Sequence, residues 1–158
     1  MDFIRQTQSS EGYWNSYWSN GKLLGTYYCV EALSLLGVDG NRISKALEWL
    51  SKQQTKEGGW NNGVEEQITS YDTSLALISL MVQFEKYKTQ IKKGIEWLVK
   101  NQLNDGSWEA FPFMTIPAPW DETQINTPKI LKAVADDNRI FTTATVLKSL
   151  SKFYKLTY

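Results

Sequence analysis

Apolar residues recur along this chain with the period of helices, and two stretches carry the period in nearly the same words. "ISKALEWLSKQQTKEGGW" (Ile43 to Trp60) aligns with "IKKGIEWLVKNQLNDGSW" (Ile91 to Trp108) at a constant offset of 48 residues. Ile43, Leu47 and Leu50 match Ile91, Ile95 and Leu98, a spacing of i, i+4, i+7 that puts three apolar side chains on one helical face. A second kind of segment begins at a threonine and carries leucine seven residues on: Thr26 with Leu33, Thr73 with Leu80, Thr143 with Leu150. Together these patterns predict helices near 26–37, 42–54, 72–85, 89–102 and 140–155, with a short opening helix at about 2–8.

Between the two kinds of helix stands a repeated turn. Gln54, Gly58 and Trp60 recur as Gln102, Gly106 and Trp108, and again, at an offset of 46, as Gln8, Gly12 and Trp14. Self-similarity at 46 to 48 residues is the mark of stacked helix pairs, each unable to bury its apolar face alone. A glutamine at a helix end can satisfy free carbonyls of the last turn, and a glycine four residues on can take the positive φ that reverses the chain. The tryptophan then lies back over the junction. These nine residues are expected to clamp one helix to its partner rather than to do chemistry. One domain over 1–158 follows, with repeat turns near 3–14, 43–60 and 91–108 and a long Pro-rich loop over 109–139.

Composition narrows the chemistry. The chain has 158 residues, enough for one domain with a substantial core. Seventeen Lys and Arg balance seventeen Asp and Glu, which gives no global field to attract nucleic acid. Histidine is absent and Cys29 is the single cysteine. Structural zinc sites and His-based triads therefore lack their parts, no intrachain disulfide can form, and no metal or cofactor is expected. Cys29 reads as a small buried residue. No apolar run is long enough to span a membrane and the start lacks the core of a secretion signal, so the chain reads as cytoplasmic, with a peripheral membrane contact left open. Seven Trp, eight Tyr and six Phe supply aromatic faces for a core or a cavity.

The Gln-x3-Gly-x-Trp turn resembles the QW repeat of class II terpene cyclases, squalene-hopene and oxidosqualene cyclases above all. "GYWNSYWSNGKLLGTYYCVEALSLLG" (Gly12 to Gly37) is similar to a stretch in the C-terminal part of those enzymes. Gly12, Trp14, Trp18, Gly25 and Thr26 carry the match. The resemblance implies an all-α fold, an α/α toroid of which this chain supplies an arc of about three helix pairs, completed by dimerisation as one route. It also implies a polyprenyl or triterpenoid-like hydrocarbon held in an aromatic cavity, where electron-rich rings stabilise a carbocation without acting as bases. Trp18, Tyr27, Tyr28, Tyr71, Phe111, Phe113 and Phe141 are the cavity candidates it brings in.

The family's acid, Asp-x-Asp-Asp before an inner-helix threonine, corresponds here to Thr69, Tyr71 and Asp72 ahead of Thr73, and only the last matches. Asp72 is the one catalytic candidate. An aspartate in that place also reads as an N-cap for the helix that follows. Asp136-Asp137 lacks the final aspartate of a diphosphate-binding DDxxD, since Ile140 stands there, and reads as a helix start. Two functions stay open. One is a cyclase-like component that relies on a partner or an unrecognised carboxylate for protonation; the other is a non-catalytic α/α module that binds lipid or protein. A homodimer or a complementary cyclase half is the expected partner.

From Trp14 to Thr26 is 12 residues and from Trp60 to Thr73 is 13, but from Trp108 to Thr143 is 35. The third link holds all four prolines, Pro112, Pro117, Pro119 and Pro128, and is expected to be a loop serving as a lid or a docking arm.

Overall fold

A computed structural model describes residues 2–16, 21–61, 67–112, 114–117, 130–134 and 136–158. Six helices alternate between two layers: α1 (Asp2–Thr7), α2 (Leu23–Leu35), α3 (Gly40–Lys52), α4 (Ser70–Leu80), α5 (Lys88–Lys100) and α6 (Ile140–Thr157). A 3-10 turn, Met81–Gln83, extends α4. The helices fall where the apolar period predicts them. Several begin two or three residues earlier: α3 and α4 add a turn of small or polar residues, whereas α2 adds Leu23 and Leu24 ahead of the repeated threonine that set its expected start.

The layers follow from composition. α3 and α5 are amphipathic, burying Ile43, Ala46, Leu47 and Leu50 in one and Ile91, Ile95 and Leu98 in the other, while Lys and Glu face outward. α4 is apolar or small nearly all round, and every residue from Thr73 to Leu80 is buried. A helix of that kind is stable only when covered on several sides. α2 flanks it on one side and α6 on the other, with α3 and α5 packed behind. Ser74 and Ser79 keep their hydroxyls satisfied inside α4 by donating to the carbonyls of Ser70 and Leu75. The arrangement is an arc of three helix pairs, with α2, α4 and α6 inside and α1, α3 and α5 outside.

The three turns are built alike, and they correct the expected role of glutamine. It is the tryptophan that caps the outer helix: the indole N–H of Trp14, Trp60 and Trp108 donates to the carbonyl of Ile4, Leu50 and Leu98, at 2.8, 2.7 and 2.7 Å. The glutamine amide works outward instead. Gln8 donates to the carbonyls of Gly12 and Arg42, and Gln54 to those of Gly58 and Gln90, so each ties its own turn to the first turn of the next outer helix. Gly58 holds φ +104° where a Cβ would lie 2.8 Å from the carbonyl oxygen of Lys93. The threonines missed by the clamp reading complete the joint, since Thr26 and Thr73 accept the backbone N–H of Trp14 and Trp60 at 3.0 Å.

Two described segments of the third link pair as strands. Met114–Pro117 (β1) pairs antiparallel with Ile130–Val134 (β2), Met114 opposite Val134 and Pro117 opposite Ile130, with a register irregularity at Ile116/Pro117. Pro117 closes β1, a place where a missing N–H costs least. Asp136 then starts α6, its carboxylate accepting from the amides of Ile140 and Thr142.

Candidate functional site

A second apolar cluster stands apart from the main core, on the inner faces of α2 and α4. Tyr27, Leu75 and Ile78 are buried in it, and Leu24 and Tyr71 pack against them. The rings of Tyr27 and Tyr28 meet at 5.0 Å with a 54° tilt, so three of the expected cavity residues, Tyr27, Tyr28 and Tyr71, come together here. Their backbones belong to the first halves of two neighbouring helices, which is why side chains 44 positions apart share one patch. Tyr71 is half-buried, and burial first, then the neighbouring Tyr28, Asp72 and Tyr27, pushes its hydroxyl well above the usual tyrosine range. It stays a neutral phenol, able to present a ring face and an O–H donor but no base.

Phe141 is exposed in the first turn of α6, and Phe111 is half-buried just beyond the third turn. Trp18 and Phe113 lie outside the described residues.

Asp72 is not the N-cap. Thr69 holds that place, accepting the amide of Asp72 at 2.9 Å and donating its own hydroxyl to the Asp72 carboxylate at 2.6 Å. The cap falls three residues upstream of the expected position because a threonine hydroxyl can both accept and donate, here accepting the amide of the acid at the third helical residue and donating to its carboxylate. The carboxylate is thus engaged at the helix start, beside the tyrosine patch rather than isolated within it.

The wall opposite the tyrosines is α6, and it contributes two lysines that the sequence reading did not single out. Lys148 donates to the Tyr27 hydroxyl at 2.6 Å and to Glu31 at 3.1 Å, and its ammonium lies 5.3 Å from the Tyr27 ring centre. Lys152 donates to the Ile78 carbonyl at 3.0 Å, near the C-terminal end of α4 where the helix dipole favours a cation. The Tyr27 hydrogen bond, then the Glu31 contact, outweighs desolvation and raises Lys148, whereas burial lowers Lys152. Burial opposes ionisation of Glu31, but the bonds to Tyr27 and Lys148 prevail and hold its carboxyl below the usual range. Tyr27 and Glu31 are one turn apart on α2, as are Lys148 and Lys152 on α6. One carboxylate on α2 and two cations at i, i+4 on α6 were the available signal, but nothing local says that the helices face each other.

These residues border a cleft of about 120 Å³ that continues past Tyr27 and Glu31 between Val30, Ile78, Val82 and Lys152. Ligand pockets for drug-sized molecules run to roughly 300–1,000 Å³, so this cleft by itself is smaller than such a pocket. Among the described residues no group of three or more His, Cys, Asp or Glu could hold a metal ion, and no helix is long and apolar enough to cross a membrane. Cys29 is half-buried, and burial pushes its thiol up.

Comparison with known proteins matches residues 1–120 to the model of the squalene-hopene cyclase C-terminal domain. A probable squalene-hopene cyclase of Sinorhizobium fredii is 34% identical over 96 residues, which cover 52% of this chain and 15% of that protein. Among solved structures, the type II terpene cyclase MstE from Scytonema in its apo form is similar at a TM-score of 0.83 and 29% identity, over 96% of this chain and 49% of that one. A variant of MstE in complex with its substrate, geranylgeranyl dihydroxybenzoate, gives 0.84 and 30%, over 96% and 48%. The chain therefore spans a small part of the curated relative and about half of each Scytonema chain.

Proposed function

Because the chain belongs to the squalene-hopene cyclase C-terminal domain family, we propose that it is a terpene-cyclase-like domain whose inner helices bind a polyprenyl or triterpenoid-type hydrocarbon. The observation that carries this reading is the tyrosine-rich apolar patch of Leu24, Tyr27, Tyr71, Leu75 and Ile78, set apart from the main core and flanked by Tyr28. Hydrocarbon binding needs apolar area removed from water, and ring faces add attraction for a cation that forms there. The likeness to a cyclase solved with a geranylgeranyl substrate supports a prenyl chain as the ligand class.

Protonation is assigned to an acid from a partner or from a carboxylate outside the patch. Asp72 is the nearest acid in sequence to the family's motif, but its bonding to Thr69 favours a helix-capping duty. That same bonding gives weight to a second reading, a non-catalytic α/α module for lipid or protein. The proposed setting is the cytoplasm, with peripheral contact to a membrane as the source of the hydrocarbon.

The test is direct. Native mass spectrometry of freshly purified protein, followed by titration with geranylgeraniol read by tryptophan fluorescence, should reveal a bound prenyl-sized ligand. Tyr71→Ala should weaken that binding severalfold while helicity is retained. Absence of binding, or binding indifferent to Tyr71, would remove the hydrocarbon reading and leave a protein-binding module. If cyclisation is seen, loss of turnover in Asp72→Asn with unchanged binding would return the acid to Asp72.

A further inference from the structure

The cleft beside the tyrosine patch carries an unbalanced charge. Among the described residues Glu31 is the one carboxylate that acts on Lys148 and Lys152, and its ion pair, at 3.1 Å, is with Lys148. Lys152 is half-buried, and its ammonium donates to a neutral partner, the Ile78 carbonyl. Two cations against one carboxylate leave one positive charge without a counterion. An ammonium withdrawn from water in that way is costly, and burial accordingly disfavours the charged form of Lys152.

That charge stands at one end of an apolar surface. Tyr27 and Ile78 belong both to the tyrosine patch and to the cleft of about 120 Å³, so the two are continuous. Lys152 borders the cleft from α6, and Ser34 brings a hydroxyl to it from α2. An ammonium nitrogen has three N–H donors. The Ile78 carbonyl takes one from Lys152, and Tyr27 and Glu31 take two from Lys148, which leaves donors on both lysines. The space is well below the roughly 300 Å³ at which ligand pockets begin, and suits a small head group rather than a whole ligand.

A pure hydrocarbon makes no use of this end, because it brings Lys152 neither a charge nor an acceptor. A carbocation is no better suited to it. The Lys148 ammonium already lies 5.3 Å from the Tyr27 ring centre, and a second cation on that ring would be repelled.

We propose that the ligand is an amphiphile, a prenyl chain lying along Tyr28 and Tyr71 whose single terminal carboxylate enters the cleft and is held by Lys152, Lys148 and Ser34. The proposal rests on the prenyl-binding reading and specifies the ligand of that same site. One negative charge matches the one uncompensated cation. The two carboxylate oxygens can accept from two lysines set one helical turn apart, and charge-assisted bonds of this kind are the strong ones. From Tyr27 to Ser34 the α2 helix rises by roughly 10 Å, a span that a prenyl chain follows in extended form.

The test compares two ligands with the same chain, geranylgeranoic acid and geranylgeraniol, titrated below their micellar range at neutral pH against the full chain and read by tryptophan fluorescence. The acid should bind at least about tenfold more tightly than the alcohol, as expected of hydrogen bonds to a charged group. Lys152→Met should bring that preference down to about twofold or less, with helicity by circular dichroism retained. Equal affinity of the wild-type chain for acid and alcohol would overturn the carboxylate head and leave the prenyl-binding reading standing. A preference that survives Lys152→Met would overturn the assignment to this cleft. Binding of neither ligand would overturn the prenyl-binding reading and this proposal with it. If Lys152→Met loses its helical signal, Lys152→Gln is read by the same criteria.

Discussion

The indole N–H of Trp60 donates to the carbonyl of Leu50 at 2.7 Å, in a place where both groups are buried. That bond gives a carbonyl in the last turn of α3 a second donor beside the Gln53 amide, and it explains why a tryptophan rather than another aromatic follows the glycine by two residues. Trp60→Phe keeps most of the ring but leaves the Leu50 carbonyl with the Gln53 amide alone as donor. The expected cost is about 0.5–1.5 kcal/mol, seen as a lower urea midpoint at unchanged slope. A midpoint equal to wild type would mean that the indole contributes through volume alone.

Gln54 and Gln102 occupy equivalent places but unequal surroundings. Gln54 is half-buried and bridges Gly58 to Gln90, while Gln102 is exposed and bonds to Gly106. Gln54→Ala should therefore destabilise by about 1–2 kcal/mol and Gln102→Ala by less than about 0.5 kcal/mol. Neither should alter affinity for geranylgeraniol. Equal costs would show that the link to α5 contributes nothing.

The start of α4 depends on Thr69 and Asp72 acting together. Thr69→Ala removes the cap and should cost about 1 kcal/mol. Asp72→Asn should cost less, and the double variant should fall short of the sum because both changes break one reciprocal pair. Thermal melts of the three variants decide this, and strict additivity would separate the two residues.

Glu31 gives a pH signature. Its folded-state pKa is below the ordinary 4.5, so its contribution to stability is present above that value and fades as pH falls through the folded pKa. Glu31→Gln should melt below wild type at pH 7, by a modest amount because the Lys148 pair is partly exposed to solvent. The two should converge as the pH falls below the folded-state pKa of Glu31. A difference that persists undiminished at low pH would point to packing rather than charge.

What the sequence determined by itself was everything that repeats locally. Helix positions, the two layers and the three turns rest on i, i+4 and i, i+7 spacings and on short Gln, Gly and Trp offsets, which are set by backbone geometry within one turn or two. The Thr69 cap was three residues from its expected place, since threonine and aspartate are both good caps and only the backbone of the first turn distinguishes them. The long third link looked irregular from its prolines, yet strand pairing between Met114–Pro117 and Ile130–Val134 joins segments that carry little period of their own.

Only the tertiary structure decided how the arc curves. Lys148 meets Tyr27 across 121 positions, Gln8 meets Arg42 across 34, and Tyr71 meets Tyr27 on a neighbouring helix. Such contacts depend on where two faces meet after the layers pack, and that depends on the sum of many weak apolar contacts rather than on any residue's own preference. The sequence could therefore name a cyclase-like helix repeat, while the placement of its tyrosines and lysines had to come from the packed chain.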